Sequence, residues 1–171
     1  MTNHGDASHA TERPKQVLLT CMDPRIAVDE VLERLSDSFE GWLASAPTYV
    51  IRNAGAVATD DTVRSLIVVQ RLAAAPAVAD LVIAVVGHDA TAGPPCAMTT
   101  RTDAALTAEL VEDPSIKRTP PFAFEFFEGG ADGGARRSVA HLRATPFIRE
   151  GTARIRGFVY TTDAKVLRAV T

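Results

Sequence analysis

Two side chains able to bind a soft metal stand at the ends of apolar runs in this chain. Cys21 falls within Val17-Leu18-Leu19-Thr20-Cys21-Met22, and His88 follows Leu81-Val82-Ile83-Ala84-Val85-Val86-Gly87. Short, continuous apolar runs fit strands buried on both faces of a parallel sheet. Open parallel sheets bind ligands beyond the carboxyl ends of their strands, so Cys21 and His88 are expected on one rim. Cys96 comes next, after a loop holding Gly93, Pro94 and Pro95. Two thiolates and one imidazole form a three-ligand set for Zn²⁺, leaving a fourth position for water or an incoming carboxylate. Singly, each residue is more simply a buried bystander, since free cysteine behaves as a small hydrophobe. Their joint placement points to a metal.

Asp23 and Arg25 extend the first cluster to Cys21-Met22-Asp23-Pro24-Arg25. Alternate residues of an extended segment project to one side, so Cys21, Asp23 and Arg25 are expected to converge. A paired Arg25 would keep Asp23 ionised at neutral pH, ready to accept a hydrogen bond from a metal-bound water or to occupy the metal itself. Asp23 also suits a helix N-cap with Pro24 at the first helical position, and one carboxylate can serve both ends. Gly55 reads as a turn residue with positive dihedrals and Asn53 as a side chain bonding its own loop, so neither is assigned to catalysis. Glu125, Glu128 and Asp132 read as solvated charges around a glycine-rich turn. Gly129-Gly130 lacks the strand-then-helix setting of a phosphate loop.

The elements that must position these groups alternate in type. Ile26, Val28, Val31, Leu32 and Leu35 fit a helix over 26–35. Tyr49-Val50-Ile51 is a second short apolar strand leading into Arg52-Asn53-Ala54-Gly55. Thr59-Asp60-Asp61 then places a cap and acidic groups before a helix carrying Val63, Leu66, Ile67, Val69 and Leu72. Further helices are expected over 103–111 and 136–144. Arg154 to Tyr160 alternates, and with Lys165 to Val170 across Thr161-Thr162-Asp163-Ala164 it predicts a hairpin. Strands alternating with helices imply βαβ units and a mostly parallel sheet. The fold expected is a single α/β domain, a mostly parallel β-sheet flanked by helices. Residues 1–15 read as a flexible N-terminal arm and 16–171 as a single zinc domain. The aromatic segment Phe122 to Phe127 is a candidate core element or partner surface.

Composition narrows the function classes. The chain has 171 residues, 46% hydrophobic and 23% charged, ordinary globular proportions that exclude wholesale disorder. Eighteen basic against 21 acidic residues give a net charge of −3, which argues against a nucleic-acid partner held through phosphate contacts. No apolar run is long enough to span a membrane, and the polar N-terminus lacks a signal-peptide core. A cytoplasmic setting is expected, in which Cys21 and Cys96, 75 residues apart, would not form a structural disulfide.

Cys21-Met22-Asp23-Pro24-Arg25, Arg52-Asn53-Ala54-Gly55, and Gly87-His88 followed by a cysteine together resemble the β-class carbonic anhydrases. Thr59-Asp60-Asp61 with Arg64-Ser65-Leu66, and Arg156-Gly157-Phe158-Val159-Tyr160, resemble an actinobacterial branch of that family. The resemblance runs from about Gln16 to the C-terminus. It implies a core of about four parallel strands plus an edge strand, one Zn²⁺ per chain on Cys21, His88 and Cys96, an Asp23–Arg25 dyad, and a homodimer or larger homo-oligomer. It also implies reversible hydration of carbon dioxide to bicarbonate by zinc-hydroxide attack. Two thiolates would cancel the ion's formal charge, so activity should grow above pH 7. His4 and His9 lie in the arm and His141 on a helix surface, so none is an evident proton shuttle.

One departure stands out. The family's usual spacing is His-x-x-Cys followed by glycine, whereas seven residues, Asp89 to Pro95, separate His88 from Cys96 here and Ala97 follows. Extended chain can cover that span, but the loop must fold back to bring Cys96 to the metal. The altered rim leaves two further readings open. One is hydrolysis of a related gas, carbon disulfide or carbonyl sulfide, on the same site. The other is a non-catalytic binding or assembly module, in which Cys96 would turn away from His88.

Overall fold

The apolar runs pair as their composition requires. In the computed structural model, which describes residues 15–71, 81–121, 123, 129–148 and 153–170, five strands form one sheet. In chain order these are β1 (Lys15–Cys21), β2 (Thr48–Asn53), β3 (Leu81–Asp89), β4 (Ala153–Thr161) and β5 (Val166–Val170). Their spatial order is β2-β1-β3-β4-β5. β1 pairs in parallel with both β2 and β3, and β3 pairs in parallel with β4. β5 runs antiparallel to β4 across the expected hairpin. The chain leaves β1 toward one edge and returns to β3 on its other side, so the strand order reverses between β1 and β3. That crevice is where open α/β sheets hold ligands.

Both faces of the sheet are covered, which explains the apolar stretches Val17–Leu19 in β1 and Leu81–Val86 in β3. One face packs Val17, Leu19, Ile83 and Val85 against helices α2 (Asp60–Arg71) and α4 (Gly130–Ala144), through Val63, Leu66, Val139 and Leu142. The other packs Leu18, Val82, Ala84 and Phe158 against helix α1 (Val28–Ser38) and the following segment, through Val31, Leu35, Phe39 and Trp42. Helix α3 (Asp103–Glu112) buries none of its residues, and Thr102 Oγ1 caps it by accepting from Ala105 N–H. Among the described residues no helix is long and apolar enough to cross a membrane.

Four local expectations are corrected. Helix α1 begins at Val28, not Ile26, and Ala27 occupies the cap position. Asp23 is therefore not its N-cap, nor Pro24 its first residue; Ile26 N–H instead closes a turn onto the Asp23 carbonyl. Helix α4 begins at Gly130 rather than Arg136, running through glycines at 130, 133 and 134. Glycine disfavours a helix on entropy alone, but packing against β3 and β4 overrides that local preference. Asp132, in the first turn of α4, is not merely solvated, since both its oxygens accept from Arg168 at 2.6 and 2.5 Å. Residues 1–14 of the predicted arm, together with Phe122, Phe124, Glu125, Phe126, Phe127 and Glu128, lie outside the described residues.

Candidate metal centre

Cys21 ends β1 and His88 is the penultimate residue of β3, so parallel pairing brings both to the same rim. Cys96 returns to them from the loop after β3 and opens a short 3-10 turn, Ala97–Thr99. The two sulfurs and a ring nitrogen of His88 all lie within 4.8 Å of one another, and all three residues are buried. Both cysteines are free thiols.

The electrostatics fit a cation. His88 is 1% exposed, and neither ring nitrogen has a hydrogen-bond partner. A buried imidazole left in that state is costly unless something else satisfies it, and a metal on one nitrogen is one such partner. The sulfurs are already polarised. A hydrogen bond from Cys96 holds the Cys21 thiol far below its ordinary range, and the same bond pushes Cys96 up. Gly55 N–H also donates to Cys21 Sγ at 3.3 Å. Such a set, two sulfurs and an imidazole, suits Zn²⁺, whose binding would displace the shared proton.

Asp23 and Arg25 meet beside this cluster, although not through strand alternation. The turn at Pro24–Arg25 folds the guanidinium back, so that Arg25 Nε and Nη2 donate to the two Asp23 oxygens at 3.0 and 2.8 Å. Arg25 N–H adds a third bond at 2.9 Å. This pairing with Arg25 holds the Asp23 carboxyl down at about 2, so it is ionised throughout the neutral range. Its Oδ2 stands 3.6 Å from His88 Nε2, too far for a hydrogen bond and near enough to act electrostatically.

The surrounding loops explain the remaining motif residues. Arg52 donates to the Cys21 carbonyl at 3.2 Å and to the Asp23 carbonyl at 2.7 Å, bracing the ligand turn. Asn53 closes its own loop, donating to Val57 O and accepting from Val57 N–H. Gly55 adopts φ 81°, a left-handed conformation that glycine tolerates and that aims its N–H at Cys21. Sequence reasoning missed Arg52 as a brace, since its partners are backbone carbonyls with no sequence signature. It also missed Ser138 of α4, whose hydroxyl donates to Ala56 O and accepts from Ala58 N–H. A cavity of about 380 Å³ adjoins this turn, lined by Arg52, Asn53, Ala54, Thr62 and Met98 among others.

Fold and site define an α/β protein with a buried Cys–His–Cys cluster, able to hold a metal, at the switch point of a parallel sheet. No family model matches the chain. Over 154 residues it is 29% identical to β-carbonic anhydrase 1 of Mycobacterium tuberculosis, covering 90% of this chain and 80% of that protein. Its fold matches a carbonic anhydrase of Streptococcus mutans with TM-score 0.70 and 28% identity, covering 93% of this chain and 84% of that one. A carbon disulfide hydrolase shares the fold at TM-score 0.67 and 24% identity, covering 93% and 79%. Over most of its length the chain is thus similar to β-carbonic anhydrases, in sequence and in fold.

Proposed function

We propose that this protein hydrates carbon dioxide reversibly to bicarbonate with one Zn²⁺ held by Cys21, His88 and Cys96. The convergence of those three donors around an unpartnered, buried imidazole carries the reading. Zinc so held supplies a Lewis acid and a water acidic enough to ionise near neutral pH. The chain's own residues do the rest. Asp23, kept anionic by Arg25, would accept a hydrogen bond from the attacking oxygen and so orient it toward carbon dioxide. Arg25, engaged on Asp23 and the loop, keeps the carboxylate from swinging freely.

Elemental analysis of protein purified without chelator tests the metal, and stopped-flow hydration of carbon dioxide tests the reaction. We expect zinc near one per chain and activity that rises above pH 7. Zinc near zero in folded protein, or a metal-loaded protein without hydration, would overturn the assignment. Sulfide release from carbon disulfide or carbonyl sulfide, assayed beside it, would reveal a different substrate admitted by the enlarged loop.

The working unit we propose is a homodimer or larger homo-oligomer. Among the described residues nothing pairs with the outer edge of strand β2, and its Tyr49 and Val50 are 40% and 42% exposed. An apolar, unpaired edge strand is an association hazard unless another surface covers it.

A further inference from the structure

The enlarged loop between His88 and Cys96 is held from outside the metal centre. At its start, the Asp89 carbonyl accepts from Thr162 N–H at 3.0 Å and from Thr162 Oγ1 at 3.1 Å. Asp89 Oδ1 accepts from Thr161 Oγ1 at 2.7 Å. Further along, Asp163 in the β4–β5 turn accepts from Thr91 N–H at 3.1 Å, Thr91 Oγ1 at 2.8 Å and Ala92 N–H at 2.7 Å. At its far end, the Pro94 carbonyl accepts from Arg25 Nη1 at 2.7 Å. Only Gly93, Pro94 and Pro95 then separate the last residue held by Asp163 from Cys96.

We propose that Asp163 is a positioning residue for the metal centre, clamping the loop so that Cys96 meets Cys21 and His88 and Pro94 meets Arg25. The proposal rests on the zinc reading above and adds to it a residue outside the ligand motifs. A seven-residue loop has many conformations, and fixing them costs entropy at the moment the ligand set assembles. Clamping Thr91 and Ala92 removes most of that freedom beforehand, and two prolines stiffen what is left. The same clamp reaches the dyad: Arg25 spends Nη1 on the loop and Nε and Nη2 on Asp23, so a displaced Pro94 frees the guanidinium that orients the carboxylate. The β4–β5 hairpin thereby sets both the second thiolate and the Asp23–Arg25 pair.

The test uses Asp163→Ala and Thr91→Val, the latter removing one hydroxyl from the loop and leaving the hairpin intact. Asp113→Ala, which removes a carboxylate bonded to Ser115 in a distant exposed turn, serves as control. Three readouts are compared: zinc transfer to a coloured chelator, the thiolate-to-metal absorption of Co²⁺-substituted protein, and the rate at which a thiol reagent labels Cys96 in metal-free protein. We expect zinc loss about tenfold faster for Asp163→Ala, as for other groups that orient metal ligands. We also expect an altered Co²⁺ spectrum and faster Cys96 labelling, with Asp113→Ala unchanged. Wild-type rates and spectrum in both loop variants would overturn the proposal; if Asp163→Ala fails to fold, Thr91→Val alone decides. Should wild-type protein hold no zinc, the functional reading is lost, yet Cys96 labelling still decides whether the clamp exists.

Discussion

At the scale of single residues, each member of the site has a separable job. In the proposed site His88 and the two cysteines would supply the donors, and losing one should abolish stoichiometric metal. We expect Cys96→Ser and His88→Ala to lose zinc on dialysis while keeping the wild-type far-UV spectrum, measured by elemental analysis and circular dichroism. Arg25 should behave differently. Its planar fork makes two bonds to Asp23 and one to Pro94, a pattern a lysine ammonium cannot reproduce. Arg25→Lys should therefore retain zinc but hydrate carbon dioxide at least about tenfold more slowly, because a misplaced orienting group costs rate rather than metal.

At the scale of elements, helix α4 sits closely on the sheet. Gly157 of β4 faces α4 so tightly that an added Cβ would lie 3.3 Å from Val139 Cγ2 and 3.5 Å from Ala135 Cβ. Gly157→Val should push the helix away and lower stability by about 1–3 kcal/mol, the usual cost of overpacking, read from chemical denaturation. The hairpin is fastened to α1 as well. Buried Tyr160 of β4 donates to Glu30 Oε2 at 2.7 Å, and Lys165 donates to Glu30 Oε1 at 2.6 Å. Burial, then the Glu30 carboxylate, pushes the Tyr160 hydroxyl up to about 12. An unfolded tyrosine ionises near 10, so the fold favours the neutral phenol. That stabilisation is complete below pH of about 10 and is lost as pH rises toward about 12. Thermal unfolding across that window should show the loss in wild type and a shallower one in Tyr160→Phe.

At the scale of the whole molecule, the exposed β2 edge and the ion-paired hairpin mark opposite sides of the sheet. Arg168 bridges Asp89 and Asp132, and Lys165 holds Glu30, so the β5 side carries paired charges. The β2 side instead presents Tyr49 and Val50, with exposed Val68 on α2. We expect sedimentation to give a dimer or larger species, and Val50→Glu, which places a charge on that edge, to shift it toward monomer. A wild-type monomer at micromolar concentration would exclude the assembly proposed here.

The amino-acid sequence by itself determined the sheet and its rim. The apolar runs 17–21 and 81–86 are buried on both faces, as central parallel strands are, with Cys21 and His88 at their carboxyl ends. The hairpin across Thr161 to Ala164 was legible from alternation alone, whereas the place of Cys96 was left open. What local signals could not decide was settled by tertiary packing. Glycines before Arg136 read as a turn, yet contact with β3 and β4 carries α4 back to Gly130. Asp23 matched an N-cap, but a turn closed on its carbonyl makes it the partner of Arg25. Where Cys96 ends up depends on Asp163, 67 positions later in the chain. Hydrogen bonds between segments so distant have no periodicity and no composition signature, so only the folded backbone brings them into reach.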